Sequence, residues 1–109
     1  MSASAATDGG VMPALFTPFE LRGVSFRNRL VVSAMCQYMA EDGFVNDWHQ
    51  AHHSRFALGG VGGACLEASG VTRAGRITPG CLGIYLDEHI AGLESVVSIY
   101  HRQNIPVGI

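Results

Sequence analysis

The residues Arg29–Met39, RLVVSAMCQYM, decide how the rest of the chain is read. Arg29–Met35 is an apolar, β-branched run of strand length with no polar alternation, so it is predicted to be a buried strand. At or just past its end stand Met35, Cys36 and Tyr38, a thioether, a thiol and a phenol. Upstream, LFTPFELRGVSFRN (Leu15–Asn28) alternates around Arg22-Gly23 and predicts a short hairpin or cap ahead of the main fold. Downstream, Glu41-Asp42-Gly43 is turn chemistry. A helix is expected from Asn46 or Asp47, either able to cap it, to the stop at Gly59-Gly60. GACLEASGVT holds a second buried strand, from Ala64 to about Ser69. RAGRITPGCLGIYL (Arg73–Leu86) reads as a loop. Asp87 then caps the clearest helix, whose apolar face is Ile90, Leu93, Val97 and Tyr100. Asn104 can end that helix, and IPVGI (Ile105–Ile109) begins a third strand.

The order is hairpin, β, α, β, α, β. Alternating strands and helices imply βαβ units and a parallel sheet, hence an α/β fold. Parallel sheets are normally covered on both faces. Three strands and two helices leave an edge bare and one face poorly covered. The expectation is therefore a truncated α/β barrel or doubly wound domain.

The composition agrees. The chain has 109 residues, 48% apolar and only 15% charged, whereas a typical domain is about a quarter charged. Too few charges are present to cover a small free-standing surface. The net charge of −2 points to no nucleic acid and no anionic membrane. No run of eighteen apolar residues exists to span a bilayer. Residues 1–13, MSASAATDGGVMP, lack the basic and apolar regions of a signal peptide and read as a disordered leader ahead of a domain at 14–109. The three cysteines, Cys36, Cys65 and Cys81, are widely spaced and odd in number, so a reducing cytoplasm is expected rather than a disulfide framework.

In parallel α/β folds, ligands bind beyond the carboxyl ends of the strands. Ser33, Ala34, Met35, Cys36 and Tyr38 lie at or past one such end, and Glu67, Ala68 and Ser69 at the next. Ser33 and Ala34 are small enough for a flat ligand to approach the backbone. Met35 can pack on a ring, a thiol can be a soft redox neighbour, and Tyr38 offers a ring with a polar tip. Cys36 and Met35 could equally be core residues, and Cys65 reads as core. His49 and His53 share a helix face, but Gln50 stands where a zinc protease needs Glu and no third ligand follows, so no metal is expected. GGVGGA (Gly59–Ala64) precedes a strand and lacks the third glycine of a dinucleotide loop, so it reads as a tight helix-to-strand turn. Arg73 and Arg76 could meet a phosphate, a partner subunit or only solvent.

Several motifs in series resemble one family. They are LFTPFELRGVSFRNRLVVSAMCQY, NDWHQAHHSRFALGGVGG, EASGVTRAGRIT and LGIYLDEHI, and the likeness runs from about Leu15 to Ile109. Together they resemble the Old Yellow Enzyme family, flavin-dependent ene-reductases on a (β/α)8 TIM barrel, and Cys36-Gln37-Tyr38 resembles its thermophilic-like subgroup. The resemblance implies FMN as cofactor and NADPH or NADH as hydride donor. It implies reduction of an electron-poor alkene such as an enone, and a homo-oligomer at full length. It places Ser33, Ala34, Met35 and Cys36 along the flavin, Ala68 against it from the second strand, and Tyr38 at the substrate. Ala34 stands where many members carry Pro. A flavin-contacting Gln is expected directly after Ile109. The substrate-holding His pair, the Tyr proton donor, the phosphate site and the last five strands come later still. The chain is thus expected to be the first third of a barrel, with no catalytic residue of its own and no turnover alone. A non-catalytic fragment, or another flavin- or phosphate-binding barrel, remains the alternative.

Overall fold

A computed structural model describes residues 11–109. The expected leader over residues 1–13 therefore lies, in its first ten residues, outside the described residues. A single 3₁₀ turn, Ala14–Phe16, leads into the hairpin β1 (Phe19–Leu21) and β2 (Val24–Phe26). Its two-residue loop is Arg22 at φ 48° and Gly23 at φ 81°. Two left-handed residues in succession match the twist of the flanking strands, which is why this dipeptide turns the chain. Phe19 and Phe26 stack across the pair with centroids 4.7 Å apart.

β3 (Val31–Val32), β4 (Gly63–Cys65) and β7 (Val107–Gly108) form a parallel sheet in the order β3-β4-β7. Val31 lies opposite Gly63, and Ala64 opposite Val107. The helices α1 (Asp47–Gly59) and α2 (Ile90–His101) are the two crossovers. A 3₁₀ turn, Asp87–His89, leads into α2.

The core lies between this sheet and the helices. Val32, Ala64 and Leu66 from the strands meet Ala57 of α1, Val96 and Tyr100 of α2, and Ile105. Alternation along each strand sends the intervening residues to the other face. There Val31 is 53% exposed and Cys65 only half-buried. One sheet face is thus packed and the other largely bare, as expected for part of a barrel.

The hairpin closes the amino ends of the strands. A Cβ on Gly63 would lie 2.7 Å from the Phe26 ring, and one on Gly62 would lie 2.2 Å from the Asn28 carbonyl oxygen. Gly62 and Gly63 of GGVGGA are therefore spacers for the hairpin. Only Gly60, at φ 85°, serves as the helix stop, its N–H bonding the Ala57 carbonyl.

Four expectations need correction. The first two strands are shorter in the ladder than predicted, because the residues past Val32 and Cys65 leave the sheet. The supposed loop Arg73–Leu86 contains β6 (Leu82–Gly83), which pairs in parallel with β5 (Ser69–Gly70). Leu82 is 1% exposed, and its burial in tertiary contacts outweighs the Gly and Pro around it. Asp87 does not cap: Leu86 holds the cap position, and its N–H donates to His89 Nδ1 at 3.3 Å. Finally, α2 buries Val96 and Tyr100, while Ile90 of the predicted face is 59% exposed.

Candidate functional site at the carboxyl end of the parallel sheet

Past β3 the backbone runs without regular structure to Ala40. Ser33, Ala34 and Met35 are exposed, Cys36 and Gln37 are half-buried, and Tyr38 is 51% exposed. Past β4, Leu66 and Glu67 are buried and Ala68 is exposed. Since Val32 pairs with Ala64, the segments that carry Cys36 and Ala68 leave the same end of the sheet. A hydrogen bond ties the two strand ends together: the Gln37 N–H donates to Glu67 Oε2 at 2.9 Å.

The amino end of α1 grips the same loop from the other side. Asn46 caps the helix, its Oδ1 accepting from the Trp48 N–H at 3.0 Å, as such a side chain should. The Asn46 amide also donates to the Met39 carbonyl at 2.7 Å. The Trp48 indole N–H donates to Gln37 Oε1 at 2.9 Å, and Gln37 Nε2 donates to the Met35 carbonyl at 2.9 Å. Below, the Ala40 N–H reaches the Gly80 carbonyl at 2.9 Å, so the segment before β6 props the loop.

Tyr38 has φ 55°. A bulky residue in the left-handed region costs roughly 1–2 kcal/mol and persists only when its surroundings over-determine it. The contacts just described do so. Its phenol titrates above its ordinary range, because Cys36 lies beside it, first through the charge of a thiolate and then through a hydrogen bond. The thiol and phenol singled out in the sequence are therefore neighbours.

The histidines divide. His49 is fully buried, and its Nδ1 accepts from the Asn46 N–H at 3.1 Å. That leaves the ring proton on Nε2, which faces Glu67 Oε1 at 3.7 Å. His53 Nδ1 is 2.6 Å from the Tyr100 hydroxyl in the core. Burial, and then neighbouring His52, hold His53 down to about 4; burial pushes Tyr100 up to about 12. His52 lies below its usual range through burial and then through Arg55, whose guanidinium is 3.0 Å from His52 Nδ1. Glu67, expected from the sequence only to lie beside the site, is thus buried against His49. One signal was available: a carboxylate inside the apolar run GACLEAS must be buried and must find a donor. Cys81 is buried, with Sγ accepting from the Thr78 N–H at 3.3 Å. Arg73 pairs with Asp42 at 2.8 Å on the surface.

Residues 14–109 match the NADH:flavin oxidoreductase / NADH oxidase family. The chain belongs to this family. Among its relatives, the NADPH dehydrogenase of Bacillus cytotoxicus (strain DSM 22905 / CIP 110041 / 391-98 / NVH 391-98) is 46% identical over 97 residues, 87% of this chain and 28% of its own length. The NADPH dehydrogenase of Geobacillus sp. (strain WCH70) is 42% identical over 97 residues, with the same shares. Morphinone reductase in complex with tetrahydroNAD superposes with a TM-score of 0.78 at 25% identity, over 87% of this chain and 26% of that one. The Old Yellow Enzyme from Pichia sp. AKU4542 superposes with a TM-score of 0.77 at 21% identity, covering 86% of this chain and 25% of that one, and shows the fold. The chain spans little more than a quarter of the curated relatives it matches, 28% in both of those named. Its fold is thus part of a TIM barrel, and within the NADH:flavin oxidoreductase family the strand ends described above are the barrel's C-terminal face. In such barrels that face carries the chemistry. Among the described residues, no helix is long and apolar enough to cross a membrane.

Proposed function

We propose that this chain forms the first strands of an FMN-dependent NAD(P)H oxidoreductase that reduces electron-poor C=C bonds such as those of enones. The observation that carries the reading is that two segments leave the same end of the sheet and are tied there by the Gln37–Glu67 hydrogen bond. Small exposed residues (Ser33, Ala34, Ala68) stand there beside the half-buried Cys36. They fit a flat heteroaromatic ring, which needs open backbone and no bulky side chain in its plane. Ser33, Ala34, Met35, Cys36 and Ala68 would hold FMN, and Tyr38 would contact the substrate. Bound FMN supplies hydride acceptance from the nicotinamide and hydride donation to the alkene. The chain's own part is orientation: Ser33 and Ala34 admit the ring, Met35 offers an apolar contact, and Cys36 places a polarisable sulfur beside it. Tyr38, a half-exposed phenol that is protonated at neutral pH, offers a hydrogen-bond donor.

The bare face of the sheet supports a barrel closed by further strands. So does an apolar groove of about 460 Å³ lined by Leu66, Ile90, Leu93, Val97, Val107 and Ile109. The closed protein is proposed to be cytoplasmic and a homo-oligomer.

The test is purification of the full-length gene product with FMN, followed by NADPH oxidation in the presence and absence of cyclohexenone. Retained yellow colour and alkene-dependent oxidation are expected, as is a shift of the flavin's reduction potential in Cys36→Ala. A colourless protein with no enone reduction overturns the reading.

A further inference from the structure

Glu67 and His49 are 2% and 0% exposed, yet Glu67 Oε1 and His49 Nε2 have no hydrogen-bond partner. They face each other at 3.7 Å. The other carboxylate oxygen, Oε2, accepts from the Gln37 N–H at 2.9 Å. A buried carboxylate is costly unless it is paired and hydrogen-bonded. A core that needed only to be packed would place an apolar side chain here. The backbone that this carboxylate grips is no ordinary loop. It is the Cys36–Gln37 peptide, one residue before the left-handed Tyr38, φ 55°.

We infer that Glu67, backed by His49, is a positioning residue: its buried carboxylate clamps the Gln37 peptide and so aims the Cys36 thiol and the Tyr38 phenol from the strand end. As a role in catalysis this rests on the proposed flavin site; as a statement about loop geometry it does not. The imidazole completes the clamp because its tautomer is set from behind. The Asn46 N–H occupies Nδ1, so Nε2 presents a proton to Oε1. The chain of contacts runs from the helix cap Asn46 through His49 and Glu67 to Gln37. Loop position is thereby coupled to the start of α1. Glutamine at position 67 cannot replace the acid. Both of its partners are donors, and an amide has one acceptor atom for the two of them.

The test reads the thiol itself. In the full-length gene product, iodoacetamide alkylation of Cys36, Cys65 and Cys81 is followed separately by peptide mass mapping, in wild type and in Glu67→Gln. Loss of one charged hydrogen bond should raise the Cys36 rate about ten-fold, with Cys65 and Cys81 unchanged. Because Cys65 ends β4 two residues before Glu67, it is the internal control for general loosening. Rates that rise together, or none that rises, overturn the positioning role. If Glu67→Gln does not fold, hydrogen exchange of the Gln37 amide in the wild-type protein decides. Protection supports the clamp, and exchange at the rate of an open loop overturns it. Neither measurement requires FMN. A failed clamp with retained flavin, or an intact clamp without flavin, therefore separates this inference from the proposed function.

Discussion

Replacing Tyr100 by Phe removes one oxygen from the centre of the core. Tyr100 is 0% and His53 3% exposed, and their hydroxyl and Nδ1 are 2.6 Å apart. With His53 held to about 4 and Tyr100 pushed to about 12, both are neutral at pH 7, so one neutral hydrogen bond is lost. The edge-on contact of the two rings, centroids 5.4 Å apart, survives in the variant. What remains is a buried imidazole nitrogen without its partner, at a cost of about 1–3 kcal/mol. Urea unfolding of Tyr100→Phe at pH 7, followed by circular dichroism, should show a lower midpoint with an unchanged slope. Adding His53→Phe should recover part of the loss, because both ends of the bond are then apolar, and a cycle of the four proteins reads the coupling directly. A destabilisation below about 0.5 kcal/mol, within the range of an ordinary surface change, would falsify the assignment of this bond as a structural tie between α1 and α2.

The same pair sets a pH window. His53 is depressed from its usual 6.5 to about 4, so the unfolded chain takes up the proton first as pH falls. Stability is therefore full above 6.5 and declines toward pH 4 by at most about 3 kcal/mol. Urea midpoints that stay flat across that window contradict it. Tyr100, raised from 10.0 to about 12, contributes in the opposite sense, with stability lost as pH climbs from 10 to 12. Asn46→Ala deletes both the helix cap and the bond to Met39, and should cost about 1–2 kcal/mol in the same assay; an unchanged midpoint would show that the cap is dispensable. Gly80→Ala would put a Cβ 2.5 Å from the Tyr38 carbonyl oxygen, against backbone that cannot rotate away. A loss of about 1–3 kcal/mol is expected, and a thermal midpoint equal to wild type would mean the two segments do not touch.

The local features were legible in the sequence because short-range sterics and hydrogen bonding decide them. Arg22-Gly23 makes its turn with the two left-handed residues it needs, Asn46 caps with its own side chain, and Gly60 stops α1 in a conformation that other residues rarely adopt. The β-α-β-α-β order follows from the alternation of apolar runs and capped helices. Other features depended on residues far apart in sequence. β6 exists because Leu82 finds a buried site beside β5. The buried face of α2 is turned toward Val96 and Tyr100 by the sheet it packs on, leaving Ile90 exposed. The Glu67–Gln37 bond joins residues thirty apart. Short-range chemistry was enough for the hairpin turn, for the start and stop of α1, and for the residue types that follow the strands. Only the tertiary structure decided which polar groups are buried together there, since burial is a property of what packs around a residue and not of the residue alone.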